Sequence, residues 1–284
     1  MTGPVGTTAS RRIDAHVHLW KVSRGDYDWM SPDLTALYRD FGLGDLIPLM
    51  DAAGIDQAVL VQAAETVAET EFLLGIAGGS DRIAGVVGWI DMGSADAGAT
   101  LRRLSANPKF KGVRPMIQDI DDDGWMLDAR QRPAFELLEE TGTCFDCLVR
   151  PQHLDNLLLL LERHPLLRAI VDHGAKPNIA TGRFNDWARN MAVIASRSTA
   201  LCKFSGLITE AGENWTVDCL RPYTKHLLTT FGPDRLVFGS DWPVLTLGAS
   251  HAQWIEVAST LLADLDEAER NKILGGNAAR FYRV

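Results

Sequence analysis

Eight short apolar segments, each followed by a stretch with helical patterning, run through 284 residues with no linker and no break in composition. That alternation predicts a parallel sheet covered by helices, and a count of eight favours closure into a (β/α)8 barrel of the TIM type over an open, doubly wound sheet. The open-sheet alternative also lacks a Gly-X-Gly-X-X-Gly after the first strand. The expected organisation is a loosely ordered N-terminal tail over residues 1–12 and one α/β barrel domain over residues 13–284.

The first strand is read from Ile13 to Trp20, where alternation puts Asp14, His16, His18 and Trp20 on one face and Ala15, Val17 and Leu19 on the other. A long loop, 21–44, carries Tyr27, Trp29, Pro32 and Tyr38; a loop of that length in a compact domain is more often a lid or binding loop than filler. A helix over 45–53 stops at Gly54, and the second strand, 58–64, is almost wholly apolar, as a strand covered on both faces should be. The alternation continues with a helix over 65–77, a strand over 83–90, a helix over 95–106 and a strand over 110–117. An aspartate-rich loop, 119–128, lacks the ligand spacing of an EF-hand and reads as a solvated acidic loop. Then come a helix over 132–141, a strand over 144–149, a helix over 152–163, a strand over 169–172, a helix over 184–196 and a strand over 201–205. A loop bearing Glu210, Glu213 and Trp215, a helix over 217–230 and a strand over 236–239 complete the repeat, with helices over 252–263 and 267–274 and a tail over 277–282.

Composition narrows the function classes. A net charge of −9 argues against nucleic acid or an anionic membrane as partner, and no apolar run reaches membrane-spanning length. The first ten residues are small and polar, unlike a signal peptide. Cys144 and Cys147 form a Cys-X-X-Cys, but on a strand that spacing puts them on opposite faces; with Cys202 and Cys219 they read as small buried hydrophobes in a reducing cytoplasm. A homo-oligomer stays open.

In a barrel of this kind the chemistry collects at the C-terminal ends of the strands. There the sequence places His16 and His18, Arg114, His173 with Lys176 just beyond, Ser205 and Asp241. Two imidazoles two residues apart on a strand converge on one point, as a divalent metal or a polarised carbonyl requires, although two satisfied core histidines would give the same pattern. Residues so far apart in sequence that share one mouth are the main functional signal. His164, His226 and His251 lie in or beside helices and read as structural, as do Trp89, Trp187 and Trp254.

The segments Asp14-Ala15-His16-Val17-His18, Val171 to Pro177, Lys203 to Leu207 and Phe231 to Pro243 resemble the amidohydrolase superfamily, and within it the sugar-lactone hydrolases of the L-fuconolactonase type. His-X-His marks the superfamily only; the His173-Gly174-Ala175-Lys176-Pro177 and Gly239-Ser240-Asp241-Trp242-Pro243 segments are closer to the lactonase branch. The resemblance implies a distorted barrel that opens a lactone by direct attack of water, with Asp241 as general base. It implies that His16, His18 and His173 hold a metal or polarise the carbonyl directly, and that Arg114 and Lys176 bind substrate oxygens. Trp20, Trp29 and Trp242 are placed to stack on a sugar-like ring. One departure matters: the fifth strand has no histidine, so a binuclear centre is not expected. What remains is a single divalent ion, zinc first, on His16, His18 and Asp241, or no cofactor; a lactone is an activated ester and needs less Lewis-acid help than an amide.

The leading reading is therefore a cytoplasmic hydrolase of a neutral aldonolactone, a small-molecule substrate. A metal-dependent decarboxylase, or a hydrolase of a dicarboxylate lactone, on the same barrel is the alternative. An acidic substrate would call for several arginines at the mouth, where only Arg114, and Arg150 next, can be placed. A catalytically silent binding barrel comes third.

Overall fold

The computed structural model describes residues 11–284. Of the tail expected over residues 1–12, residues 1–10 lie outside them, and Arg12 is tied down, its amide donating to Asp56 Oδ2 at 2.7 Å. Eight parallel strands follow one another in chain order: β1 (Ile13–Val17), β2 (Gln57–Val61), β3 (Ile83–Gly88), β4 (Phe110–Val113), β5 (Cys144–Cys147), β6 (Ala169–Val171), β7 (Leu201–Phe204) and β8 (Leu236–Phe238). Helices α1 (Leu43–Ala53), α2 (Val67–Gly78), α3 (Ala97–Ser105), α4 (Arg132–Thr141), α5 (Leu154–Arg163), α6 (Asn185–Arg197), α7 (Val217–Phe231) and α8 (His251–Leu261) pack outside, and the short α9 (Glu267–Asn271) and α10 (Asn277–Tyr282) end the chain. The ring closes at the strand ends, where Val17 bridges Trp242 in parallel. Among the described residues no helix is long and apolar enough to cross a membrane.

The strands are shorter than the apolar runs that announce them. The second run reaches residue 64 but its ladder ends at Val61, and the fourth reaches 117 but ends at Val113. Past the rim the chain leaves the ladder yet stays covered: Ala63, Ala64 and Ile117 are buried under loops. Apolarity reports burial, and here burial outlasts strand pairing. Helix ends obey local chemistry more closely. Gly54 and Gly142 close α1 and α4 in the left-handed conformation, and the Thr66 and Ser250 hydroxyls accept the first free amides of α2 and α8.

Two apolar layers result. The outer one lies between sheet and helices and includes Phe145 and Cys147; the inner one fills the base of the barrel and includes Ile13, Val59, Val87, Cys144 and Val237. The two cysteines of Cys-X-X-Cys thus face opposite sides. Residues 277–282 are not a tail. They form α10, whose Ala278, Phe281 and Tyr282 plug the base, while the buried Asn277 amide donates to the Pro233 and Leu236 carbonyls. The Asn-Ala-Ala-Arg-Phe-Tyr run is too short to read as a helix from periodicity alone.

Glycine is required where β4 meets β5. A Cβ on Gly112 would stand 2.7 Å from the Cys144 carbonyl oxygen, a backbone atom held in the ladder. Gly112→Ala is expected to lower unfolding free energy by about 1–3 kcal/mol, read as a fall in the urea midpoint at unchanged slope; a midpoint equal to wild type would disprove the close approach.

Candidate active site

β1 and β8 deliver the central groups. The His18 amide donates to the Trp242 carbonyl at 2.8 Å and the Asp241 amide to the His16 carbonyl at 2.8 Å. The buried Asp14 carboxylate locks this junction, accepting the Ser240 amide at 2.8 Å and the His16 amide at 3.2 Å through one oxygen. Gly239 lets the strands close: a Cβ there would lie 2.8 Å from His16 Cβ. Asp241 adopts φ 62°, a left-handed conformation that costs a residue with a side chain about 1–2 kcal/mol, and so turns its carboxylate back over the barrel.

Around Asp241 Oδ1 stand three imidazoles: His18 Nε2 at 3.2 Å, His16 Nε2 at 3.7 Å and His173 Nε2 at 3.8 Å. His173 arrives on a second strained stretch, with His173, Gly174, Ala175 and Lys176 all left-handed at φ 48–60°. That turn is held from outside by Trp187, whose indole donates to the Gly174 carbonyl at 2.7 Å. Ser205 Oγ lies 2.9 Å from His173 Nδ1, and Gly206, at φ 65°, makes room for the ring, since a Cβ there would meet it at 2.6 Å.

Electrostatics follow from burial. Desolvation pushes His16 far below the ordinary histidine range and His173 down to about 4, so both rings are neutral near pH 7. For Asp241 burial alone would raise the pKa, but His173, the His18 contact and His16 outweigh it and keep the carboxylate ionised. His18 Nδ1 sits 2.8 Å from the Val61 carbonyl, which can only accept, so Nδ1 carries an N–H there, and in the Nδ1–H tautomer a bare Nε2 faces Asp241.

These groups open on a cavity of about 190 Å³ lined by His18, Trp29, Arg114, His173, Lys176 and Asp241, with Met116, Gln118, Asp119 and Leu148 on its walls. Larger clefts lie on the outer helices, around Glu162 and Arg197 and around Arg132 and Glu139, and none of His16, His18, His173 and Asp241 lines them. The structure brings His16, His18, His173, Asp241, Arg114, Lys176 and Trp29 together. It does not bring Trp20 or Trp242 to the cavity. Trp20 is completely buried against Tyr27, Trp29 and Phe41 with its indole N–H on the Arg39 carbonyl, and Trp242 packs on Phe41. Trp20 stays beside His18, with ring centroids 6.5 Å apart, but the alternation that would carry it to the cavity wall fails because β1 ends at Val17. Trp29, in the long loop, donates to the Ala63 carbonyl at 2.7 Å and is half-exposed over the cavity.

Arg114 is buried, donates to the Gln62 carbonyl and comes within 3.4 Å of His16 Nε2; Lys176 Nζ lies 3.4 Å from Glu210. Sequence reasoning gave no role to three groups beneath the imidazoles: Asp146 on β5, Asp172 after β6 and Lys203 on β7, all fully buried. Their signal was available, since a charged residue inside an apolar parallel strand has no solvated face to occupy. It also gave no place to Asp119, which leaves the acidic loop to line the cavity.

A divalent cation fits the donor set. His16 Nε2, His18 Nε2 and Asp241 Oδ1 lie within 4.8 Å of one another, and the bare His18 Nε2 facing a carboxylate oxygen is an acceptor against an acceptor that a cation would reconcile. The Val61 carbonyl on His18 Nδ1 is the outer-sphere contact that orients a ligating imidazole.

The sequence pattern of the amidohydrolase family matches residues 13–284. An L-fucono-1,5-lactonase from Burkholderia ambifaria is 40% identical over 279 residues, 96% of each chain. One from Burkholderia multivorans is 34% identical over 290 residues, again 96% of each. The crystal structure of a Burkholderia multivorans amidohydrolase with bound zinc superposes with a TM-score of 0.90 at 32% identity, over 96% of this chain and 99% of that one.

The depressed His173 has a thermodynamic consequence. The unfolded ring takes a proton near pH 6.5 and the folded ring only near 4, so its contribution is complete above pH 6.5 and disappears as pH falls toward 4. Across that window wild type is expected to lose about 3 kcal/mol more stability than His173→Gln. Urea titrations at a series of pH values test this, and parallel pH dependences would show that His173 is not held neutral.

Proposed function

The chain belongs to the amidohydrolase family, and from that premise we propose that it is a lactonase that opens a neutral, sugar-derived 1,5-lactone of the L-fuconolactone kind to its hydroxy acid. One observation carries the reading: an ionised carboxylate, Asp241, surrounded by three imidazoles at 3.2–3.8 Å, on the wall of a small cavity at the strand ends. The cavity is smaller than the ~300–1,000 Å³ of drug-sized sites, which suits a single sugar ring.

Asp241 is the general base. It takes a proton from water as the water oxygen attacks the lactone carbonyl carbon. The carbonyl oxygen gains charge and is received by Arg114 and by a neutral imidazole N–H, of His16 or His173, already in place, so little reorganisation accompanies the step. The ring C–O bond then breaks, its electron pair leaves on the ring oxygen, and that oxygen recovers the proton from Asp241. Trp29 covers the ring and excludes water. Lys176, Gln118 and Asp119 are placed to meet the hydroxyls. A divalent ion, zinc before others, would be held by His16, His18 and Asp241 and would supply Lewis-acid polarisation of the carbonyl. No helix of the described chain suits a membrane, which accords with a cytoplasmic enzyme acting on a diffusible substrate.

Acid release from L-fucono-1,5-lactone, followed with a pH indicator on protein of measured metal content, is the direct test. Wild type should open the lactone, and Asp241→Asn should lower kcat by about 10²–10⁴-fold with the fold retained. A fully active Asp241→Asn would end the mechanism, and no release from wild type, with or without added zinc, would end the substrate assignment. Chelation separates the two roles of the histidines: activity lost with the metal makes them ligands, and activity retained makes them direct polarisers.

A further inference from the structure

Lys203 is the most deeply buried cation described, with no solvent exposure on β7. Its Nζ lies 2.5 Å from Asp146 Oδ2, 2.9 Å from Asp172 Oδ1 and 2.9 Å from His16 Nδ1. An ammonium has N–H bonds and no lone pair, so its hydrogen bonds to Asp146 and His16 are both donated by lysine, with Asp172 an ion-pair partner beside them. His16 Nδ1 must therefore accept, and the neutral ring carries its proton on Nε2. The other end of the ring gives the same answer. His18 Nε2, bare because Nδ1 serves the Val61 carbonyl, stands 3.2 Å from His16 Nε2, and two facing nitrogens at that separation need one proton between them. His16 is the ring free to supply it.

Two contacts pull the other way and both are longer. Arg114 Nη1, 3.4 Å from His16 Nε2, would favour a proton on Nδ1, as would Asp172 Oδ1, 3.6 Å from Nδ1. Either arrangement would turn an N–H of His16 against the N–H bonds of Lys203 at 2.9 Å and leave His18 facing a second lone pair.

We propose that Lys203 is a positioning residue that fixes His16 as its Nε2–H tautomer and so aims a hydrogen-bond donor at the floor of the active site. The catalytic value of that donor rests on the lactonase reading, in which it receives the developing oxyanion; the tautomer itself does not. A cation can use His16 as a ligand only after this proton has left, so Lys203 leaves His18 and Asp241 as the ready ligands and makes His16 the reluctant one. The support below Lys203 is itself fixed, since Tyr282 from α10 donates to Asp146 Oδ2 at 2.8 Å.

The test is long-range ¹H–¹⁵N correlation spectroscopy of the histidine side chains in chelated, substrate-free protein, with the His16 signals assigned by their loss in His16→Gln. The expected pattern is a protonated, pyrrole-type Nε2 and a bare, pyridine-type Nδ1 at His16; the reverse pattern overturns the proposal. Cause is tested with the double substitution Lys203→Met and Asp146→Asn, which removes one positive and one negative charge and leaves Asp172 to accept from Nδ1. His16 should switch to Nδ1–H, and kcat for lactone opening should fall about tenfold with KM within about twofold, as expected of a donor that acts in the transition state. An unswitched ring overturns the role of Lys203. Should the double variant not fold, a correlation across the hydrogen bond from Lys203 Nζ–H to His16 Nδ1 in wild type answers the same question, and its absence counts against the proposal. The pattern is read without substrate, so a protein that opens no lactone can pass and an active lactonase can fail.

Discussion

Two backbone hydrogen bonds across the seam between β1 and the segment after β8 hold the rest of the site in place. They join residues 16 and 18 to residues 241 and 242, and each is 2.8 Å long. A net contribution of about 1 kcal/mol apiece is unremarkable for stability. Their importance is geometric. They close the ring at the rim where the chemistry sits, and in doing so they set the separation between the His18 imidazole and the Asp241 carboxylate. Asp14 adds a third tie at the same joint, and Gly239 allows the approach. A barrel that closed in another register would separate the Asp241 carboxylate from the imidazoles.

Beneath that seam the protein holds a costly cluster. Lys203, Asp146 and Asp172 are fully out of water, and burial alone would discharge all of them. Mutual attraction outweighs desolvation for Lys203, which is held above the ordinary lysine range, and for Asp172, which is held below the carboxylate range; for Asp146 desolvation wins and its carboxyl is pushed up. A well-packed apolar layer would fill the same space at less cost. The cluster instead spends stability on direction, since Lys203 donates to Asp146 and His16 while Asp172 pairs with its charge. The left-handed residues at 173–176 and 241 do likewise through the backbone.

This division explains what could be read from the sequence. The eight-fold alternation was legible because each parallel strand is covered on both faces and each helix on one, so residue pattern and burial coincide. The His16–His18 pair, His173, Arg114 and Asp241 were legible because polar residues at the ends of apolar strands stand out. Lys203 and Asp146 stand out equally, but their partners lie 187 and 57 residues away in sequence, and a lone charge in a strand does not name its counter-ion. Trp20 and Trp242 misled for the opposite reason. Each lies within two residues of a site residue, but the chain turns at the strand end and sends the indole into the packing behind. Adjacency predicts position along the chain; only the end of the ladder sets the direction of the side chain.

The charge balance of the mouth bears on substrate choice. Arg114 lines the cavity, and it is engaged by the Gln62 carbonyl with Asp172 3.8 Å beyond. Lys176 has Glu210 at 3.4 Å, and Arg150, at the rim, has Asp119 at 3.8 Å. Asp241 adds a negative charge that nothing at the mouth neutralises fully. An anionic lactone entering this cavity would have to break an existing ion pair or meet Asp241 unshielded, and either penalty grows in a site shielded from water. A neutral polyol lactone meets no such penalty. On the proposed reading its hydroxyls would accept from Lys176 and donate to Asp119 while those groups keep their partners, so the pairs that would repel an acid are the same pairs that would position a sugar.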